Sequence, residues 1–206
     1  MGCDIHIMIE AKRRTAEGWS DRWYNVDNWR HNPYYGEWED EPEMVFIDIY
    51  TGRDYELFSF LADVRNYGGN PSFGFDRGIP EDASDLVAKE YKSWGDDAHT
   101  PGYCTLAELK EKASTVSKVS RKGYVHKDEA QRFHATGETP TSWCQGVGGP
   151  HASQYKWLEW EDEIHCFDKL LSAIEERKRD VFWIFRPEDD DGKCDDKIRI
   201  VFWFDN

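Results

Sequence analysis

Hydrophobic and polar residues alternate at the start of the chain. Successive side chains of a β-strand point to opposite faces, so this period of two over residues 3–13 predicts a strand with one buried face. Residues 15–18 resemble a turn, and the aromatic and β-branched content of residues 19–27 predicts a partner strand and a β-hairpin. Glu10 and Lys12 are expected to face solvent. One face carries Cys3, Ile5, Ile7, Ile9 and Ala11, and the other carries Asp4, His6, Met8, Glu10 and Lys12.

A helical period replaces this alternation in the middle of the chain. Asp54 is suited to capping a helix through residue 66, because the apolar residues that follow recur at intervals of three and four. Thr105 and Glu108 form the pattern of a capping box, which predicts a helix to residue 113. Further helices are predicted over residues 81–93, 127–135 and 153–179.

Strands are also predicted over residues 44–50, 123–125, 181–185 and 197–205, and loops over residues 28–43, 67–80, 95–102 and 137–150. The last two strands are almost continuously apolar, which is typical of central strands with both faces covered. We therefore expect an α+β fold. It has an antiparallel or mixed central sheet built from both chain ends and about five helices between them, in a single domain spanning residues 1–206.

Charge and cysteine content narrow the functional classes. The formal net charge of −15 opposes binding to polymeric nucleic acid. The sequence has no apolar run of about 18 residues, so we expect no membrane partner. Five cysteines without a CxxC pair indicate free thiols and a cytoplasmic location. Homo-oligomer formation stays open.

The Asp4/His6 pair is the first candidate site. Alternation places both side chains on one face, roughly 6–7 Å apart, which suits an oriented general base or two ligands of one metal. His6 and His99 are the candidate catalytic residues. Asp4, His6, His99 and Asp205 together would form a mixed N/O set for a divalent metal such as Zn, Mn or Fe. Cys3 is not favoured as a nucleophile, because the alternation points its thiol away from His6.

A second candidate site combines arginines with aromatic rings. Arg53, Arg65 and Arg77 flank a capped helix and a glycine-rich loop, where guanidinium groups and backbone N–H groups bind phosphate. Nearby rings offer stacking surfaces for a base. This pattern predicts a small nucleotide-type ligand bound by Asp4, His6, Arg53, Arg65, Asn66, Tyr67, Phe75 and Arg77.

Five segments resemble an uncharacterised family of phage and bacterial proteins. They are MGCDIH at residues 1–6, RDYELF at 53–58, ADVRN at 62–66, GDDAH at 95–99 and VFWFDN at 201–206. The resemblance implies a phage context, in which small accessory proteins often counter host defence by capturing or destroying nucleotide signals. It assigns no catalytic residue.

Three functional hypotheses follow from these patterns. The leading one is binding and sequestration of a small phosphorylated nucleotide, as in a phage counter-defence protein that acts on an immune signalling nucleotide. The second is a metal-dependent hydrolase of a phosphoester-type small molecule. The third is an acidic protein–protein inhibitor. Whether the protein is an enzyme stays open.

Overall fold

The computed structural model describes residues 2–38, 41–181 and 194–206. None of the helices within these residues is long and apolar enough to cross a bilayer. The eight strands are β1 (Asp4–Thr15), β2 (Gly18–Asn25), β3 (Asn28–His31), β4 (Met44–Ile47), β5 (His99–Thr105), β6 (Lys118–His126), β7 (Tyr155–Glu163) and β8 (Ile198–Asp205). The five α-helices are α1 (Tyr55–Ala62), α2 (Asp85–Ser93), α3 (Leu106–Ser114), α4 (Lys127–Thr136) and α5 (Asp168–Asp180).

The central sheet has the order β2-β1-β8-β5, and all of its neighbours are antiparallel. β1 and β8 pair continuously, from Asp4 opposite Asp205 to Ala11 opposite Ile198. The remaining strands form two separate two-stranded sheets, β3-β4 and β6-β7. The α+β prediction, with a sheet built from both chain ends and five helices, is confirmed.

Both faces of the central sheet are covered. The face of β1 with Cys3, Ile5, Ile7, Ile9 and Ala11, hereafter the apolar face, packs in one core with residues of α1, α3 and α5. On the opposite side, hereafter the polar face, Met8 of β1 and Trp203 of β8 pack against Val87 of α2 and residues of the β3-β4 sheet. Every residue of β8 before Asp205 is buried, as its apolar sequence predicts. Of the strand predicted at 181–185, residues 182–185 lie outside the described residues.

The expectation that Glu10 faces solvent is wrong. Glu10 is fully buried, and its Oε2 accepts a hydrogen bond of 2.7 Å from Nε of Arg199 on β8. Its Oε1 accepts the backbone N–H of Ser84 at 2.6 Å. A charged carboxylate can be buried here because a cation and further hydrogen-bond donors replace the water that it loses.

Local capping signals correctly located the starts of two helices. The carboxylate of Asp54 accepts the backbone N–H groups of Glu56 and Leu57 at 3.0 and 3.1 Å, which opens α1. Thr105 and Glu108 form the expected capping box of α3. The predicted extension of α1 to residue 66 is wrong, because Asp63 adopts a left-handed conformation, with φ of 60°, and ends the helix.

The prediction of one helix over residues 153–179 is wrong for its first half, which forms a strand. Its second part is α5, but residues 155–163 form β7, which pairs with β6 along its whole length. Leu158 and Trp160 are buried while the residues between and beside them are exposed, which is the period of a strand. The apolar residues whose spacing suggested one long helix therefore belong to two different elements, a strand and a helix.

Two predicted loops also contain strands. Residues 28–31 form β3, which pairs with β4, and residues 99–105 form β5, the edge strand of the central sheet. Glycine and proline in these segments indicated loops, but a register shift between His99 and Gly102 lets Pro101 sit at a sheet edge.

Candidate functional site

Three strand ends meet at one end of the central sheet. β1 begins there at Asp4, β8 ends there at Asp205, and β5 begins there at His99. Asp205 lies directly opposite Asp4, and His99 lies opposite Phe204. Antiparallel pairing therefore brings residues from both chain ends and from the middle of the chain to one place.

On the polar face, Asp205 orients His6. Nε2 of His6 lies 3.3 Å from Oδ2 of Asp205, whose Oδ1 accepts the backbone N–H of Asp4 at 3.1 Å. The imidazole also packs on Trp94, with ring centroids 3.9 Å apart, and on Trp203. A histidine held by a carboxylate and by ring packing has the arrangement of a general base.

The carboxylate of Asp4 is engaged by Arg53. Nε and Nη2 of Arg53 donate to its two oxygens at 2.5 and 2.6 Å, and this contact lowers the pKa of Asp4. Arg53 also lies over Gly2, where a Cβ would come within 2.3 Å of Nη1. A cavity of about 190 Å³ beside this pair is lined by Asp4, His6 and Asp48, among others, and burial raises the pKa of Asp48. Asp4 and His6 thus share a face and a cavity.

His99 lies on the other side of the sheet. Its ring stacks on Phe204, with centroids 5.9 Å apart, and Phe204 pairs with Ile5 of the apolar face. The structure therefore does not bring His99 to His6, and the proposed four-residue metal set does not converge. Among the described residues, no group of three or more His, Cys, Asp and Glu side chains is arranged to hold a metal ion.

Cys3 is the partner that His99 has instead. Sγ of Cys3 lies 4.0 Å from Nε2 of His99, and Nδ1 of the same ring lies 3.0 Å from Oγ1 of Thr100. Burial raises the pKa of the Cys3 thiol, and a hydrogen bond from Arg65 opposes that rise. The alternation along β1 correctly separates Cys3 from His6, but it carries no information about β5, so this pair was missed.

Arg65 connects the sheet end to a neighbouring cleft. Its Nη2 donates to Oδ1 of Asn206 at 2.9 Å, and its interactions with Tyr67 and Cys3 raise the pKa of the guanidinium. The cleft encloses about 60 Å³. Its wall includes three cations and three aromatic rings, from Arg65, Arg121, Lys122, Tyr55, Tyr67 and Trp143. We call it the Arg65 cleft. The residues from β6 and from Trp143 were not predicted, because their segments gave only strand and loop signals.

Three residues of the predicted ligand set have structural roles elsewhere. Arg77 pairs with Glu108 of α3 at 2.8 Å, outside the cleft. Phe75 is fully buried in the main core, so its ring offers no free face. Asn66 fixes its own loop, because its side chain bonds both the backbone N–H and the carbonyl of Asn70 at 2.8 Å.

Other cavities are larger but chemically different. One of about 830 Å³ between the β3-β4 sheet and α2 is mainly apolar, with Trp29, Met44, Phe46 and Leu86 in its wall. Volume alone would favour it, but a specific ligand site also needs convergent polar groups. The Arg65 cleft and the sheet end provide those groups.

Comparison with known proteins finds no matching family model, no similar curated protein and no similar solved structure. The resemblance of the segments at residues 1–6 and 201–206 to phage and bacterial proteins therefore stays a prediction. What the site does has to be inferred from its own geometry.

Proposed function

We propose that the protein binds a small, phosphorylated, nucleotide-type ligand in the Arg65 cleft. The proposal rests on the residues that line this one cleft. In a chain with a net charge of −15, three cations and three aromatic rings line one small cleft. Cations bind the phosphate and rings stack on the base, so this combination matches the two chemical parts of a nucleotide.

One of the three cations of the cleft is fixed in its wall, and we assign the other two to the ligand. Arg121 is held between Glu56 and Asp162, so its guanidinium belongs to the wall. Arg65 and Lys122 are the groups that we assign to phosphate. A guanidinium gives the phosphate two parallel donors, whereas an ammonium acts as a point charge.

The size of the cleft supports a phosphate at its base and the rest of the ligand outside. A volume of about 60 Å³ suits one phosphoryl group, since cavities that enclose a drug-sized molecule hold roughly 300–1,000 Å³. Tyr67 and Trp143 remain 39% and 38% exposed at the rim. We assign their free faces to base stacking.

The exposed guanidinium of Arg53, at the same sheet end, offers a further contact for a ligand with two phosphates. The phage resemblance supports a signalling nucleotide of host immunity as the ligand and sequestration as the outcome. Of the two alternatives, the metal-dependent hydrolase has no converging ligand set within the part of the chain that the structure describes, and the described surface carries no observation that favours the acidic inhibitor.

Isothermal titration calorimetry with ADP-ribose and a panel of cyclic dinucleotides tests the proposal. We expect binding in the micromolar range. Arg65→Gln and Lys122→Ala should each weaken it by about tenfold or more, because hydrogen bonds to charged groups contribute about 1.5–3 kcal/mol. Lys118→Ala is the matched control, since it removes a lysine from the same strand that pairs with Glu161. Absence of heat with every nucleotide would overturn the proposal.

A further inference from the structure

A thiol, an imidazole and a guanidinium meet beside the Arg65 cleft. Cys3 Sγ lies 4.0 Å from Nε2 of His99, and the Arg65 guanidinium is close enough to oppose the burial-induced rise in the pKa of the same thiol. The three groups come from the residue before β1, from β5 and from the segment after α1, so local chain geometry does not force them together. Arg65 also lines the cleft that we assign to phosphate.

The arrangement has the three parts of an activated nucleophile. The nucleophile is Cys3, whose burial raises its pKa and keeps the thiol protonated at rest, so it needs a base. His99 presents Nε2 to that thiol. Oγ1 of Thr100 lies 3.0 Å from Nδ1 of the ring, and in the tautomer that donates Nδ1–H to this oxygen Nε2 is the proton acceptor.

Two residues of this cluster have unfavourable backbone conformations. Thr100 has φ of 47° and Arg65 has φ of 51°, although neither is glycine. Such residues cost on the order of 1–3 kcal/mol each, and they concentrate at functional sites. Thr100 lies within the register shift of β5, and its side chain contacts the ring of His99.

We propose that Cys3 is a nucleophile for phosphoryl transfer, with His99 as its general base and Arg65 as the phosphate-binding group. The proposal rests on the function proposed above and adds turnover for those nucleotide ligands that carry a terminal phosphoryl group. Its substrate class is a phosphate ester whose terminal phosphoryl group reaches the thiol.

The reaction is balanced without any additional reactant except water. Nε2 of His99 accepts the thiol proton while sulfur bonds to phosphorus and the bond from phosphorus to the leaving oxygen breaks. The leaving oxygen then takes that proton from His99. Water, deprotonated by His99, attacks the phosphorus of the thiophosphate, which releases inorganic phosphate and restores the thiol.

Arg65 links the buried thiol to the phosphate that we assign to the cleft. In this structure its guanidinium donates a hydrogen bond to Asn206 and lies close enough to the thiol to oppose the rise in its pKa. A ligand phosphate competes for the same donors. A phosphate bound by this guanidinium would therefore lie beside the thiol, which is fully buried in this structure.

Phosphate release from p-nitrophenyl phosphate and from nucleoside monophosphates tests the proposal. Cys3→Ser and His99→Asn should each lower the rate by at least about a hundredfold, because general-base catalysis contributes 10²–10⁴-fold. Cys144→Ser, which alters an exposed thiol outside the cluster, should leave the rate unchanged. Thr100→Ala should shift the pH–rate profile, and Thr100→Ser should restore it. Acid quench followed by intact-mass analysis should show one phosphoryl group added to wild type and none added to Cys3→Ser.

Calorimetry separates this proposal from the binding function. Cys3→Ser should still bind ADP-ribose, because the thiol is not one of the phosphate-binding groups. Nucleotide binding by wild type without phosphate release or a covalent adduct overturns the nucleophile and leaves the binding function. Phosphate release that depends on Cys3, without nucleotide binding, overturns the binding function and supports the nucleophile.

Discussion

The two faces of β1 bury their residues in different ways. The apolar face contributes five consecutive core positions, and its one reactive group, the Cys3 thiol, lies at its end. The polar face carries Asp4, His6 and Glu10, yet Glu10 is as buried as any core residue. Alternation therefore determines which face a residue occupies, whereas the elements packed on that face determine its exposure.

The difference also separates two chemistries along one strand. On the polar face each group has a compensating partner: Glu10 has Arg199, His6 has Asp205 and Asp4 has Arg53. On the apolar face Cys3 has His99 and Arg65. Neighbouring residues of β1 thus serve a carboxylate–imidazole pair on one side and a thiol–imidazole pair on the other.

Removing Glu10 should destabilise the polar face most. Glu10→Ala removes the acceptor of Nε of the buried Arg199, which keeps Asp82, and the acceptor of the N–H of Ser84, and breaking a buried pair costs about 3–5 kcal/mol. The double variant Glu10→Met/Arg199→Met should recover most of this loss. Urea unfolding followed by circular dichroism measures both, and equal losses in the two variants would contradict the assignment.

Asp27 should make folding stability depend on pH near neutrality. Both of its oxygens accept the backbone N–H of Ile9 at 3.1 Å. Burial raises its pKa to about 7, although hydrogen bonds from Asn25 and Ile9 oppose the rise. Between about pH 4 and pH 7 the unfolded chain releases this proton while the folded chain keeps it. The contribution is therefore unfavourable as pH rises, by as much as about 4 kcal/mol above pH 7.

Asp27→Asn isolates this effect, because asparagine keeps an acceptor for Ile9 and does not titrate. We expect the variant to lose less stability than wild type between about pH 5 and pH 8. The measurement is the urea midpoint at each pH. Parallel pH profiles for the two proteins would refute the role of Asp27.

Truncating the apolar face should cost less than breaking the Glu10–Arg199 pair. Ile7 is fully buried and pairs with Phe202 in the sheet. Ile7→Ala should lower the free energy of unfolding by about 3 kcal/mol, and Ile7→Val by about 1 kcal/mol, because both the transfer of apolar surface and the cavity contribute. Denaturant unfolding checks the ratio. A smaller loss for alanine than for valine would contradict core packing at this position.

The smallest effect is expected at the exposed end of the polar face. Asp4→Asn removes the pair with Arg53, which lies in water, where ion pairs contribute little to stability and are screened by salt. The midpoint of thermal unfolding should stay close to that of wild type at low and high salt. A loss comparable to that of Glu10→Ala would show that the sheet end supports the fold.

Elements with a complete local signal were predictable. The alternation of β1, the Asp54 cap, the Thr105–Glu108 capping box and the apolar run of β8 depend only on neighbouring residues. β7 was mistaken for helix because its apolar residues continue a spacing that α5 completes. Only pairing with β6 distinguishes the two.

The candidate site was predictable only in part. Asp4, His6 and Asp205 lie together because both ends of the chain form neighbouring strands of one sheet, as the apolar patterns of the two ends indicate. The side of the sheet on which His99 lies depends on a register shift in β5, and no local sequence pattern predicts that shift. Arg65 was selected for its charge, but its contact with Cys3 follows from left-handed backbone conformations that sequence periods do not describe.

The pairing of β1 with β8 also sets the order of folding events. Asp4 and Asp205 are 201 residues apart in sequence and hydrogen-bond each other. Closing so long a loop carries an entropy cost that local helices and hairpins do not carry, and contacts of high sequence separation slow folding. The β1-β2 hairpin and the capped helices can form early, whereas the sheet end must wait for β8. A ribosome-bound chain in which β8 has not yet been made would therefore have many of the candidate residues but no assembled site.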